Sequence, residues 1–156
     1  AKAFDLKVIA YDPYIGQDIF RQDNIEPVSL KDLFKKSDIV SIHALLTSET
    51  QNLVKEKHLR SMKSSAVLIN TARGEIIEER ALLKALEKKW IAGAAVDVLA
   101  KEKADGGHLK NNALLKYARS HDNLIITPHI GGATYEAMEN TEKFLAEKIK
   151  KWIKKQ

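Results

Sequence analysis

The chain has 156 residues, of which 44% are hydrophobic and 30% charged, and it carries a formal net charge of +5. That balance is typical of one globular domain with a sizeable core, and no apolar run reaches the roughly 20 residues that a bilayer span requires. The sequence contains no cysteine, which excludes a disulfide framework and thiolate metal sites and suits a cytoplasmic location.

Five short apolar runs predict β-strands. They cover residues 6–10, 39–43, 66–69, 91–98 and 124–127. The apolar residues are continuous rather than alternating, which favours strands buried on both faces, as in a parallel sheet covered by helices.

Helical patterns separate these runs. Ser29 is placed to cap a short helix, and apolar residues recur at helical spacing in residues 78–89 and 135–155. A turn at 105–107 precedes a further helical segment at 112–119. The alternation of strands and helices predicts an α/β fold built on a Rossmann-like, doubly wound parallel sheet.

Three side chains that lie just past separate strands are candidates for an acid/base site that binds an anion. Arg73 follows the third run, and its planar guanidinium suits a carboxylate ligand. His129 follows the fifth run and can act as a general acid near neutral pH. Glu102 follows the fourth run and would orient His129. Taken alone, each residue also has an ordinary interpretation: a surface arginine, a packing histidine and a solvated loop glutamate.

Further polar residues end the other strands and suggest a cofactor cleft. Asp12 either accepts hydrogen bonds from ribose hydroxyls, as in a dinucleotide fold, or forms an Asp-Pro turn. Asp97 ends an apolar strand and needs a hydrogen-bond partner, for which a nicotinamide carboxamide is one candidate. His43 either lines the cleft or caps its strand.

The whole pattern resembles the D-isomer-specific 2-hydroxyacid dehydrogenases, the phosphoglycerate dehydrogenase-like family. The matching stretches, in the family's order, are 8–12, 42–47, 68–74, 93–98 and 126–134. The resemblance implies that Arg73 holds the substrate carboxylate, and that His129, oriented by Glu102, donates a proton as hydride arrives from NADH. The cofactor contacts that it implies are Asp12, His43, Thr47, Thr71, Ala72, Arg73, Asp97, His129, Gly131 and Gly132.

The sequence also departs from the family pattern. Leu45 and Lys103 stand where the family often has proline, and the interval from Glu102 to His129 is longer than is common. The family's Gly-rich loop, with the strand before it, would precede residue 1. We therefore expect 1–156 to be a partial NAD-binding domain that lacks its first, central strand and this loop.

The position of that strand and the role of the last helix follow from the same resemblance. The missing strand is expected between the strand that ends near Asp12 and the one at 66–69. The helix at 135–155 is expected to reach towards a substrate domain.

These observations predict an NAD-dependent oxidoreductase of D-2-hydroxy acids and 2-keto acids, with negligible activity as this chain alone. An NAD-sensing binding module of the corepressor type is the alternative, and a methyltransferase is a weaker one. The expected partner molecules are a small 2-hydroxy or 2-keto acid and either a second copy in a homodimer or a complementing N-terminal fragment. No metal, nucleic acid or membrane partner is expected. The lysine-rich run 148–155 is interpreted as a solvated helix face, with an anionic surface as the alternative.

Overall fold

The computed structural model describes residues 1–102 and 106–154. Its strands are β1 Ile9–Ala10, β2 Glu26–Pro27, β3 Ile39–Ile42, β4 Val67–Asn70, β5 Gly93–Val96 and β6 Leu124–Ile126. Its α-helices are α1 Gln17–Gln22, α2 Leu30–Lys36, α3 Glu56–Ser61, α4 Glu79–Glu87, α5 Ala113–Ala118 and α6 Tyr135–Ile153. Short 3-10 helices occur at Lys2–Phe4, Gly74–Ile76 and Gly107–Leu109.

Four strands form one parallel sheet in the order β3-β4-β5-β6, and each successive pair is connected through a helix. The strands β1 and β2 form a separate two-stranded parallel sheet. The predicted α/β fold with a parallel sheet is confirmed. The sequence patterns missed β2, because Glu26–Pro27 has no apolar run, and they missed α1 and α3, which are six residues each and bury one side chain apiece.

The predicted gap beside residues 66–69 is wrong. The strand β4 is hydrogen-bonded to β3 on one side and to β5 on the other, so no neighbouring slot exists there. Within the described residues, no ladder joins the two-stranded sheet to β3. A hydrogen bond between Tyr14 and Glu49 joins the segment after β1 to the segment after β3, so the discontinuity between the two sheets lies next to β3, at residues 39–42.

Burial of the sheet also differs from the prediction. The strand β3 buries Val40 and Ile42, whereas Ile39 is 51% exposed, and Ile125 of β6 is 61% exposed. These strands alternate between covered and open faces although their residues are continuously apolar. An apolar run records which side chains can be buried, but not which face of the sheet is covered.

The core lies between the sheet and the helices α2 to α5. The helix α4 buries Ala81, Leu82, Ala85 and Leu86, a spacing that places them on one helical face. Full burial of a leucine side chain contributes about 1.5–3 kcal/mol, so this face anchors α4 in the core.

The predicted cap at Ser29 and the predicted long last helix are both present in the structure. The Ser29 hydroxyl accepts a hydrogen bond from the Asp32 amide, which confirms the predicted cap of α2. The helix α6 forms as predicted, but it has no buried residue among those described.

None of the helices in the described part of the chain is both long and apolar enough to cross a membrane. The predictions at Lys103, Asp105 and Lys155 lie outside the described residues.

Candidate active site

The candidate site lies at the carboxyl edge of the four-stranded sheet. The register aligns Ile42, Asn70, Val96 and Ile126 in one row across this edge, each the last residue of its strand. Arg73, Glu102 and His129 lie three to six positions after this row, whereas Asp12 follows β1 of the other sheet. In open parallel sheets, ligands bind outside the carboxyl ends of the strands.

His129 and Glu102 form a hydrogen-bonded pair at this edge. The Nδ1 atom of His129 lies 2.6 Å from Oε2 of Glu102, and Oε1 of Glu102 accepts a hydrogen bond of 2.8 Å from the Leu99 amide. The side chains of His129 and Glu102 are 46% and 29% exposed. Because Nδ1 faces a carboxylate, it must carry a proton, and the nitrogen that can exchange a proton with a ligand is Nε2.

Asp97 holds the loop that carries His129. Its Oδ1 atom accepts hydrogen bonds from the Thr127 hydroxyl and from the Ile130 amide at 3.1 Å, and its Oδ2 atom accepts one from the Gly131 amide at 2.9 Å. Burial alone would raise the pKa of Asp97, but these hydrogen bonds, together with the charge of His129, bring the pKa below its usual value of 3.8.

The same loop holds His129 in an unusual backbone conformation. Its φ angle is +54°, in the left-handed region that residues with a Cβ rarely adopt. The Asp97 contacts to Ile130 and Gly131, the residues just after His129, keep this conformation in place. Asp97 was predicted to contact a nicotinamide carboxamide. Its oxygens already have these partners, so that contact stays a prediction.

Asn70 shapes the turn that presents Arg73. Its side chain is fully buried, its Nδ2 group donates to the Arg73 carbonyl at 2.9 Å, and its Oδ1 atom accepts from the Ala72 amide at 3.0 Å. Sequence reasoning assigned no role to Asn70. An asparagine that ends a buried apolar strand needs partners for its amide, and that requirement was the available signal.

Arg73 follows β4 at the same edge as His129. Its guanidinium donates to the Ala72 carbonyl at 2.7 Å, and among the described residues no hydrogen bond or ion pair links it to Glu102 or His129. A guanidinium has five N–H donors, so this bond leaves donors for an anion.

Two further carboxylates reach the Glu102 loop and were missed in the sequence. Glu79 accepts a hydrogen bond of 2.7 Å from the Ala100 amide, and Glu75 accepts one of 2.8 Å from the Lys101 amide. Both contacts span more than 20 positions along the chain, so no local sequence pattern reports them.

The remaining cofactor candidates make local contacts. Asp12 accepts a hydrogen bond of 2.8 Å from the Tyr14 amide, which supports the turn interpretation and leaves its second oxygen for another donor. His43 Nε2 lies 2.9 Å from the Ser41 hydroxyl. Thr47 caps its own turn by accepting from the amides of Glu49 and Thr50. Their cofactor roles stay predictions.

A hydrogen bond connects the turn at Asp12 to the turn at Thr47. The Tyr14 hydroxyl donates to the Glu49 carboxylate, and this contact raises the pKa of Tyr14. It joins the end of β1 to the segment after β3. Thr71 is exposed, Ala72 is half-buried, and a Cβ added at Gly132 would meet open space, so these positions leave room at the edge of the sheet.

Comparison with known proteins identifies the family. Residues 1–131 match the family described as D-isomer specific 2-hydroxyacid dehydrogenase, NAD binding domain. A glyoxylate reductase from Thermofilum pendens is 43% identical over 148 residues, which are 94% of this chain and 41% of the relative. A D-3-phosphoglycerate dehydrogenase from a Synechocystis species is 40% identical over 150 residues, 96% of this chain and 26% of the relative.

Solved structures show the same likeness. An NAD-complexed D-isomer specific 2-hydroxyacid dehydrogenase from Lactobacillus delbrueckii ssp. bulgaricus superposes with a TM-score of 0.78 at 35% identity, over 95% of this chain and 46% of that one. D-lactate dehydrogenase from Aquifex aeolicus, complexed with NAD and lactic acid, gives a TM-score of 0.78 at 31% identity, over 98% of this chain and 48% of that one. The chain thus spans less than half the length of these four relatives. Through its NAD-binding domain, it belongs to the D-isomer-specific 2-hydroxyacid dehydrogenase family.

Proposed function

We propose that the protein is an NAD-dependent oxidoreductase that interconverts small D-2-hydroxy acids and 2-keto acids. The observation that carries the proposal is the His129–Glu102 pair at the carboxyl edge of the sheet, at 2.6 Å, in a loop held by Asp97. A histidine fixed in this way has one nitrogen held and one available, which is what a general acid for a carbonyl oxygen requires.

In the proposed reaction, Arg73 binds the substrate and His129 transfers the proton. Arg73 binds the substrate carboxylate with two parallel hydrogen bonds and polarises the neighbouring carbonyl group. His129 gives its Nε2 proton to the carbonyl oxygen, and Glu102 stabilises the positive ring by accepting from Nδ1. When bound, NADH would supply the hydride for the carbonyl carbon. In the oxidative direction, His129 takes the hydroxyl proton instead.

The residues at the edge fit a dinucleotide. The open space at Gly132 and the small side chain of Ala72 allow a flat ring to approach the backbone. Asp12 keeps an oxygen for the ribose hydroxyls, since only Oδ1 is engaged by Tyr14. A carboxylate at this position favours NAD over NADP because it repels a 2′-phosphate.

The wider setting of the chain is part of the same proposal. Residues 1–156 would form part of an NAD-binding domain, and α6, which has no buried residue among those described, would reach towards a substrate domain. The chain alone would then have negligible activity. Assembly as a homodimer, or with a complementing N-terminal fragment, and a cytoplasmic location complete the proposal and rest on the resemblance to the family.

The test uses what we call the completed protein. This is the present chain joined to the segment that precedes the matched region in the Thermofilum relative. We expect NADH oxidation with a panel of small 2-keto acids. NAD binding without turnover of any acid in the panel would contradict the proposal and would favour an NAD-sensing binding module.

Arg73→Lys in the completed protein tests the carboxylate anchor. We expect the KM for the keto acid to rise about ten- to a hundredfold, because a charge-assisted hydrogen bond contributes about 1.5–3 kcal/mol and lysine cannot form the paired contact. The matched control is Arg80→Lys, at an exposed position of α4, which should leave KM unchanged. An unaltered KM for Arg73→Lys would refute the role assigned to Arg73.

A further inference from the structure

We propose that Glu79, in the first turn of α4, is a positioning residue for the His129–Glu102 pair. This inference rests on the proposed function. Among the described residues, the hydrogen bonds of the Glu79 carboxylate go to Ala100 and Asn112 rather than to His129, so Glu79 acts through the backbone of the loop that carries Glu102.

The loop before Glu102 offers three consecutive amides, and each meets a different carboxylate. The Leu99 amide donates to Glu102 itself at 2.8 Å. The Ala100 amide donates to Glu79 at 2.7 Å, and the Lys101 amide donates to Glu75 at 2.8 Å. The middle contact belongs to Glu79, so this residue fixes the centre of the turn.

The second oxygen of Glu79 extends the contact to another element. Oε2 accepts a hydrogen bond of 3.3 Å from the Asn112 side chain. Asn112 is the N-cap of α5, where its Oδ1 atom accepts from the Leu115 amide at 3.1 Å. Glu79 therefore ties the start of α4, the Glu102 loop and the start of α5 together through one carboxylate.

The loop needs such support because its backbone is strained. Lys101, directly before Glu102, has a φ angle of +60°, in the left-handed region. A residue with a Cβ occupies that region only when its surroundings hold it there. Release of the Ala100 amide would let Lys101 relax, and the Glu102 carboxylate would move relative to His129.

The same contacts link the Glu102 loop to the Arg73 turn. Gly74, next to Arg73, packs so closely on the loop that a Cβ there would overlap the backbone of Leu99 and Ala100. Glu79 lies five residues after Gly74 and bonds the same stretch of loop. The segment from Arg73 to Glu79 and the segment from Leu99 to Glu102 therefore keep a fixed spacing, and that spacing sets Arg73 relative to His129.

Kinetics of the completed protein test this role. Glu79→Ala should lower kcat about 10- to 100-fold, because misplacement of an acid/base group by about 1 Å has effects of that size. The KM for the keto acid should change less than about threefold. Glu79→Gln keeps an acceptor oxygen for Ala100 and should return kcat to within about threefold of the parent. Glu78→Ala, at the exposed neighbouring position, is the control and should leave kcat unchanged.

A second variant and a second measurement cover the case in which Glu79→Ala does not fold. Glu79→Asp keeps the charge but is one methylene shorter, so it cannot reach Ala100 and Asn112 together, and kcat should fall at least about fivefold. Amide hydrogen exchange at residues 99–101 should be faster in Glu79→Ala and in Glu79→Asp than in the parent.

The outcomes separate the two proposals. An active parent whose kcat is unchanged in Glu79→Asp, or whose amides at 99–101 exchange at parental rates in that variant, overturns the positioning role alone. A parent that binds NAD but reduces no keto acid overturns the proposed function and the positioning role with it. A loss of kcat that Glu79→Gln restores, with KM nearly constant, supports both.

Discussion

The substitution Asn70→Ala probes how the Arg73 turn is held. It removes the Nδ2 bond to the Arg73 carbonyl and the Oδ1 bond to the Ala72 amide. Each neutral hydrogen bond contributes about 0.5–1.5 kcal/mol, and a buried group left without a partner costs about 1–3 kcal/mol. Asn70 is fully buried, so water does not replace both bonds, and we expect a loss of about 2–5 kcal/mol in the free energy of unfolding.

The assay combines denaturant unfolding with steady-state kinetics of the completed protein. A loosened turn should also raise the KM for the keto acid, because Arg73 would no longer be held for its carboxylate. Asn123→Ala is the matched control: its Oδ1 atom accepts one bond of 3.0 Å from Tyr117, away from the site. It should cost about 1 kcal/mol and leave KM unaltered. Parental stability of Asn70→Ala would refute the reasoning from buried hydrogen bonds, and parental KM would refute the link to Arg73.

Two further substitutions test the close packing at Gly74 and the loss of stability at acidic pH. Gly74→Ala should lower the free energy of unfolding by about 1–3 kcal/mol or more, because its Cβ would overlap the Leu99 backbone. The control is Gly132→Ala, whose Cβ would meet open space and should leave the unfolding midpoint nearly unchanged. Equal midpoints for the two variants would contradict the packing argument. The pKa of Asp97 is lowered in the folded protein, so its contribution to stability is complete above its usual pKa of 3.8 and is lost as the pH falls through the lowered value. Asp97→Asn should therefore be about 1–3 kcal/mol less stable than the parent near neutral pH, and the difference should shrink on acidification; a difference that stays constant with pH would argue against this role.

Several elements were predictable because their signals are local. The Ser29 cap, the runs that became β3 to β6, and the long helix α6 each follow from residues within a few positions of one another. The juxtaposition of His129 and Glu102 was also expected. It followed from the family resemblance and from the rule that parallel strands end at one edge.

Other features could not be derived in this way. The continuous apolar runs predicted strands buried on both faces, yet Ile39 and Ile125 are more than half exposed. The expected gap beside residues 66–69 does not exist, because β4 is paired on both sides. Strand order and face coverage depend on which elements pack together, and apolar content alone does not specify that.

The amino-acid sequence by itself determined which candidate groups this protein carries: an arginine, a glutamate and a histidine placed after successive strands, with glycines beside the histidine. Only the tertiary structure decided how these groups are held. The partners of Asp97 and Glu79 are hydroxyl and amide groups from elsewhere in the fold, up to 34 positions away in the case of Asp97 and Gly131. Backbone amides are present at every non-proline residue, so no residue pattern marks which of them a buried carboxylate will meet; packing makes that choice.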